Sequence, residues 1–253
     1  MITRNLLTLI AFGGTVALVA CSSVEDPVPF ASSESFCTSK AETECKNLAI
    51  SCGASVDACK QKRASVCNGA ASTAAGQGRS YRANAAQACI DKAEAVFKEK
   101  VISPEGDLEV VKICERVYGG TRKERERCEN TFECEGALIC SSGVCATEET
   151  VSGTGACGNP GQVCAKGSYC QQQGGNKFCV AKNKLDEACG AENPCLETLR
   201  CVVRCKAKVA ISGDCEVDSD CADEAPYCDV AAGKKCGPKY QAATAACKEF
   251  RGP

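Results

Sequence analysis

The apolar pattern of the chain changes from segment to segment, and each change marks a boundary. Leu6–Ala20 is a 15-residue uncharged, mainly apolar run. That length suits a signal-peptide core and is short for a membrane span. Ser22–Ser35 (SSVEDPVPFASSES) has neither helical nor strand periodicity and predicts a flexible tether. From Cys37 to about Gly120, apolar residues recur at spacings of three and four, the helical signature. Within this stretch Asn68–Gly78, rich in small residues, predicts a loop. A long helix is expected over about Tyr81–Val101, with Ala86, Cys89, Ile90, Ala93 and Phe97 as its apolar stripe. Ser103-Pro104-Glu105-Gly106 breaks it. A last helix over about Asp107–Tyr118 places Leu108, Val111, Cys114 and Val117 on one face, and Gly119-Gly120 stop it. Packing into a core is the expected use of these stripes, and a groove for a partner is the alternative. After the mixed-charge linker Thr121–Arg127, periodicity gives way to a rhythm of cysteines.

That rhythm is a repeat. Module one carries Cys128, Cys134, Cys140 and Cys145, and module two Cys157, Cys164, Cys170 and Cys179. Module three carries Cys189, Cys195, Cys201 and Cys205, and module four Cys215, Cys221, Cys228 and Cys236. The first two gaps are five or six residues in every module, and the third varies from three to eight. Four copies of such a spacing identify an array. Two disulfides per module allow three pairings, among which spacing alone does not choose. In the helical stretch, Cys37 and Cys45 lie eight residues apart, as do Cys59 and Cys67. Eight residues on one helix rise about 12 Å, too far for a mutual disulfide. Two antiparallel helices pinned as Cys37–Cys67 and Cys45–Cys59 are therefore expected, with the turn near Cys52-Gly53.

Composition strengthens this reading. Of 253 residues, 25 are Cys, none is Trp and one is Met. Small modules with thin apolar cores depend on covalent staples, and such a cysteine content belongs to an oxidising compartment. Setting Cys21 aside leaves 24, an even number, all of which can pair. The module cysteines account for 16 of them. Cys37, Cys45, Cys52, Cys59, Cys67, Cys89 and Cys114 in the helical stretch are odd in number, which predicts that Cys247 folds back to it, onto Cys114 or Cys89. The expected fold is a set of small disulfide-rich modules of short β-strands and loops, preceded by an α-helical, disulfide-pinned domain. Its expected divisions are a signal peptide (1–20), a tether (21–36), a helical domain (37–120), four repeats (121–236) and a tail (237–253).

Two resemblances add to this. Leu18-Val19-Ala20-Cys21, after a short apolar run, resembles the lipobox of bacterial lipoproteins. The resemblance implies cleavage before Cys21, lipidation of its thiol and acylation of the new N-terminus. Ser22, in place of Asp, implies the outer membrane or cell surface by the sorting rule of that family. The array, with gaps of five or six residues and with Gly155 and Gly213 just before the first cysteines of modules two and four, resembles the Dickkopf N-terminal cysteine-rich module, whose arrangement is Gly-x-x-Cys-x5-Cys-x5-Cys. That implies a small, loop-rich binding module. The Wnt antagonism of the animal family does not carry over to a chain with a bacterial lipobox.

Candidate chemistry is sparse. The chain has no His, the commonest general base. Net charge is −2, which gives no global field for nucleic acid, and no nucleic-acid partner is expected. The acidic run Asp214, Glu216, Asp218, Asp220, Asp223 and Glu224 fails the EF-hand pattern and reads as a solvated loop. Lys182, Lys184, Lys206, Lys208, Lys234, Lys235 and Lys239 suggest a basic edge for polyanions, or a plain solvated face. No metal or cofactor is expected. The expected function is a membrane-anchored, non-catalytic scaffold that binds a protein or glycan. The alternative is a secreted-protease inhibitor or toxin-like effector.

Overall fold

The computed structural model describes residues 30–251. The apolar run and Cys21 lie outside the described residues. Four helices come first: α1 (Ser33–Leu48), α2 (Val56–Gly76), α3 (Ala83–Phe97) and α4 (Pro104–Glu115). Local chemistry sets their starts. The Ser32, Ser55 and Ser103 side chains accept from the backbone N–H of Ser35, Ala58 and Gly106, each satisfying an orphan donor of a first turn. Pro104 occupies the first turn of α4, where its missing N–H costs nothing.

Three helix boundaries differ from expectation. The end of the presumed tether is already helical, because its serines act as a cap and first turn rather than as coil. Asn68–Gly76 is the last part of α2 and not a loop. Four alanines there, the best helix formers, offset the cost of Gly69 and Gly76. Ser80-Tyr81 leaves the helix altogether and pairs antiparallel with Tyr118-Gly119.

Disulfides join the helices in pairs. Cys37–Cys67 and Cys45–Cys59 pin α1 against α2, with Cα separations of 5.4 and 5.8 Å. Gly53 turns the chain between them at φ 64°, a left-handed conformation that costs glycine little. Cys89–Cys114 pins α3 against α4. Leu48, Ala93, Val96, Phe97 and Val110 pack around the sulfurs to make the main core. A second cluster gathers Phe36, Ala86 and Val117. The inward face of α4 is Val110, Cys114 and the following Val117, while Leu108 and Val111 are 52% and 45% exposed. The expected stripe is thus rotated, because the bond from Cys114 to Cys89 aims the helix.

The four modules share one plan. Each ends in a two-stranded antiparallel hairpin: Ile139–Ser141 with Val144–Ala146, Ser168–Gln173 with Asn176–Ala181, Leu199–Val202 with Arg204–Ala207, and Tyr227–Asp229 with Lys235–Gly237. In every hairpin the third and fourth cysteines stand directly opposite each other. Opposed residues point to the same face. The first cysteine bonds the third and the second bonds the fourth. The pairs are Cys128–Cys140 and Cys134–Cys145, Cys157–Cys170 and Cys164–Cys179, Cys189–Cys201 and Cys195–Cys205, and Cys215–Cys228 and Cys221–Cys236. The backbone repeats as faithfully. The N–H groups of Cys128, Cys157, Cys189 and Cys215 donate to the carbonyls of Gly143, Lys177, Val203 and Lys234, each two residues before the fourth cysteine. The third gap varies because it is the hairpin turn. In module three it shrinks to a single linking residue, Val203, at φ 62° and 82% exposed.

The array is tied to the helices at both ends. The Arg82 guanidinium donates to the carbonyls of Gly120 and Gly136 at 2.7 and 2.9 Å, and the Gly120 N–H donates to Phe132 O. Glu197 latches module three to module two, accepting from Lys182 at 2.7 Å and from the Gly167 N–H at 3.1 Å. Burial opposes its charge, but these donors outweigh it and bring the carboxyl to about 2. After module four the chain returns, and Cys247 bonds Cys52 across a sequence separation of 195. This corrects the expected partner. Cys89 and Cys114 are already joined at a Cα separation of 4.7 Å, whereas Cys52 lies in the α1–α2 turn where the tail docks.

A Cβ at Gly120 would collide with the Glu133 backbone, which has no room to give. Gly120→Ala is expected to lower stability by about 1–3 kcal/mol, read as a lower midpoint of urea unfolding. Gly190→Ala, where a Cβ meets nothing, is expected to leave the midpoint nearly unchanged.

Candidate functional site

A groove of about 480 Å³ lies in the helical unit. Phe36 and Glu44 of α1, Val66 and Ala70 of α2, Val111 of α4 and Phe250 of the tail contribute to it. On α2 the lining follows helical spacing: Arg63, Val66, Cys67, Ala70 and Ala74. The second half of α2 buries only Ala74, so this face is left open rather than covered by a neighbouring helix.

A buried ion network sits in the groove lining. Glu44 is 3% exposed. It pairs with Lys40 one helical turn earlier and accepts from Arg63 Nε at 2.7 Å. Arg63 also bonds Glu249 at 2.9 Å and lies over the Phe250 ring, 4.9 Å from its centre. Burial disfavours the charge on Glu44, but Lys40 and Arg63 outweigh it and hold its carboxyl below the usual range. Burial likewise opposes the charge on Arg63, and Glu44 and Glu249 raise it above its usual value. Beside them Asp107 pairs with Lys239 and accepts from the Tyr240 hydroxyl at 3.1 Å. Burial and the nearby Asp107 carboxylate raise the Tyr240 hydroxyl. The tail is thereby fixed by charge and by a disulfide together.

The structure disperses the other candidates. In module four Asp220 accepts from the N–H groups of Glu216 and Val217, and Asp218 from that of Cys228. Asp214 pairs with Lys235, Glu216 with Lys234 and Asp223 with Lys208. These carboxylates cap turns and neutralise lysines, and they do not converge on one point. Of the seven lysines of the suggested basic edge, six are paired with carboxylates, Lys184 excepted. Lys206 pairs with Asp186, Lys182 with Glu197 and Lys239 with Asp107. In each module three sulfurs lie within 4.8 Å of one another, but these are two stacked disulfides. Oxidised sulfur offers no thiolate to a metal. Cys21, the candidate lipidation site, lies outside the described residues.

Glu44, Arg63, Glu249 and Phe250 are not legible as site residues in the sequence. Arg63, Val66, Ala70 and Ala74 form a usable stripe, hidden only by reading Asn68–Gly78 as a loop. No protein-family model matches the chain, and no curated protein or solved structure matches it.

Glu44 has a lowered carboxyl in the folded protein, so its stabilising effect is present above about pH 4.5, its ordinary value. That effect is lost as pH falls below it through the folded value. Glu44→Gln leaves Arg63 and Lys40 short of a buried partner and is expected to cost about 3 kcal/mol at neutral pH. Urea midpoints measured from neutrality down to acid should fall less steeply in the variant than in the parent.

Proposed function

We propose that the protein is a lipid-anchored extracytoplasmic protein of a bacterial envelope, held through Cys21, with a non-catalytic binding role. One observation carries this reading. Every cysteine from Cys37 to Cys247 is already bonded, in twelve disulfides. Cys21 is the remaining one of the 25, and it ends a lipobox-like segment. A scaffold so dependent on disulfides also belongs outside the reducing cytosol. Among the described residues no helix is long and apolar enough to cross a membrane, and in this reading attachment is by lipid.

The binding role draws on the array. Its modules resemble the Dickkopf N-terminal type, and the glycine two residues before the first cysteine of modules two and four has a physical reason. A Cβ at Gly155 or Gly213 would run into the side chain of Val151 or Val209. The hairpin turns and the backbone between cysteines are the variable, solvent-facing parts, where a protein or glycan partner would be met. The groove supports a non-catalytic reading through what it contains. Its buried titratable groups are moved away from neutrality, Glu44 downward and Arg63 and Tyr240 upward, whereas proton transfer needs a group poised near the working pH.

The test is intact mass with cell fractionation. The mature chain should begin at Cys21, carry acyl mass and sediment with membranes. Cys21→Ser should accumulate with residues 1–20 still attached. A soluble, unmodified mature chain would contradict the reading.

A further inference from the structure

The groove lies next to the point where the chain enters the described structure. The first described residue is Phe30. Its ring is 6.4 Å from that of Phe36, and its carbonyl accepts from the Tyr81 hydroxyl at 2.7 Å. Phe36 in turn meets Tyr118 at 6.3 Å. Phe36 and Tyr118 both line the groove. The described chain therefore begins against a ring that lines the groove. Eight residues separate Cys21 from Phe30, and the nine steps between them reach up to about 30 Å.

The lining narrows the chemistry of an occupant. Most of its charges are matched within the protein: Glu44 with Lys40 and Arg63, Glu249 with Arg63, and Asp107 with Lys239. Arg79 and Glu115, which also line it, form no ion pair among the described residues, and the Arg79 guanidinium lies over the Phe132 ring, 4.3 Å from its centre. A charged ligand that met Glu44, Arg63 or Asp107 would have to displace an existing partner. The remaining surface is apolar and partly open, with Val66 50% and Val111 45% exposed beside Ala70. Such a surface suits a ligand that is uncharged along its length.

We propose that this groove seats one acyl chain carried by Cys21 of the same molecule. The inference rests on the lipidation reading given above. Methylenes withdrawn from water are stabilised, and an eight-residue link makes the encounter intramolecular, with an effective concentration in the millimolar range. In water the groove shelters the chain. At a bilayer, lipid tails offer an equally apolar environment, so the chain exchanges into the membrane. The groove then acts as a shelter during transit and not as a competing anchor.

The experiment uses the full-length lipidated protein, from cells fed a diazirine-bearing fatty acid, purified and freed of detergent. Irradiation is followed by proteolysis and mass spectrometry, and intact mass reports the acyl load on Cys21. The expected result is cross-linking from Cys21 to the α2 segment around Val66–Ala74 or the α4 segment around Val111, with a yield independent of dilution. Val66→Asp with Val111→Asp, at half-exposed positions, should cut that yield at least tenfold and leave the disulfide pattern intact. Acyl mass on Cys21 without cross-links in the groove overturns this inference and leaves the anchor standing. A yield that falls on dilution overturns the same-molecule assignment. An unmodified Cys21 overturns both readings.

Discussion

The structure depends on covalent closure of segments that cannot hold themselves by burial. A module of about 30 residues buries mostly its own sulfurs: Cys215, Cys221 and Cys236 with Ala225 in module four, Cys128, Cys134 and Cys145 in module one. Apolar cores that small do not offset the chain entropy of folding. Two interlocked disulfides, first to third and second to fourth, restrict the unfolded chain instead, each typically contributing about 2–4 kcal/mol. The hairpin makes the arrangement possible. It sets the third and fourth cysteines opposite each other on one face, where the two earlier cysteines meet them.

The same constraint acts on the whole chain. The helical unit and the array are not strung in a line from a tether. Gly120 and Arg82 fix the start of the array to the helices, and Cys247 returns its end to the turn at Cys52. Lys239, Tyr240, Glu249 and Phe250 then reinforce that return through Asp107 and Arg63. The groove is a product of this closure, since α1, α2, α4 and the returning tail all contribute to it.

Spacing carried most of what was legible. The eight-residue intervals imply the pairs Cys37–Cys67 and Cys45–Cys59, and these are the pairs in the structure. The near-constant first two gaps and the variable third gap mark each module, because only the third is a hairpin turn. Pairing within modules was not legible, since it depends on which strands face each other. Nor was the partner of Cys247, which is set by tertiary contacts across 195 residues. The rotation of α4 escaped for a related reason. Leu108 and Val111 fit a helical stripe as well as Val110 and Val117 do, and the bond to Cys89 decides between them. The groove was half legible. Its α2 stripe has helical spacing, but Glu44 reads as an ordinary surface charge until Arg63 is seen beside it.

The central claim is the disulfide framework, and peptide mapping of the native protein without reduction, with thiols blocked during digestion, tests it most directly. The account predicts first-to-third and second-to-fourth links in all four modules, and a peptide joining Cys52 to Cys247. A map that joins Cys247 to a module-four cysteine, or that pairs neighbouring cysteines within modules, would contradict it.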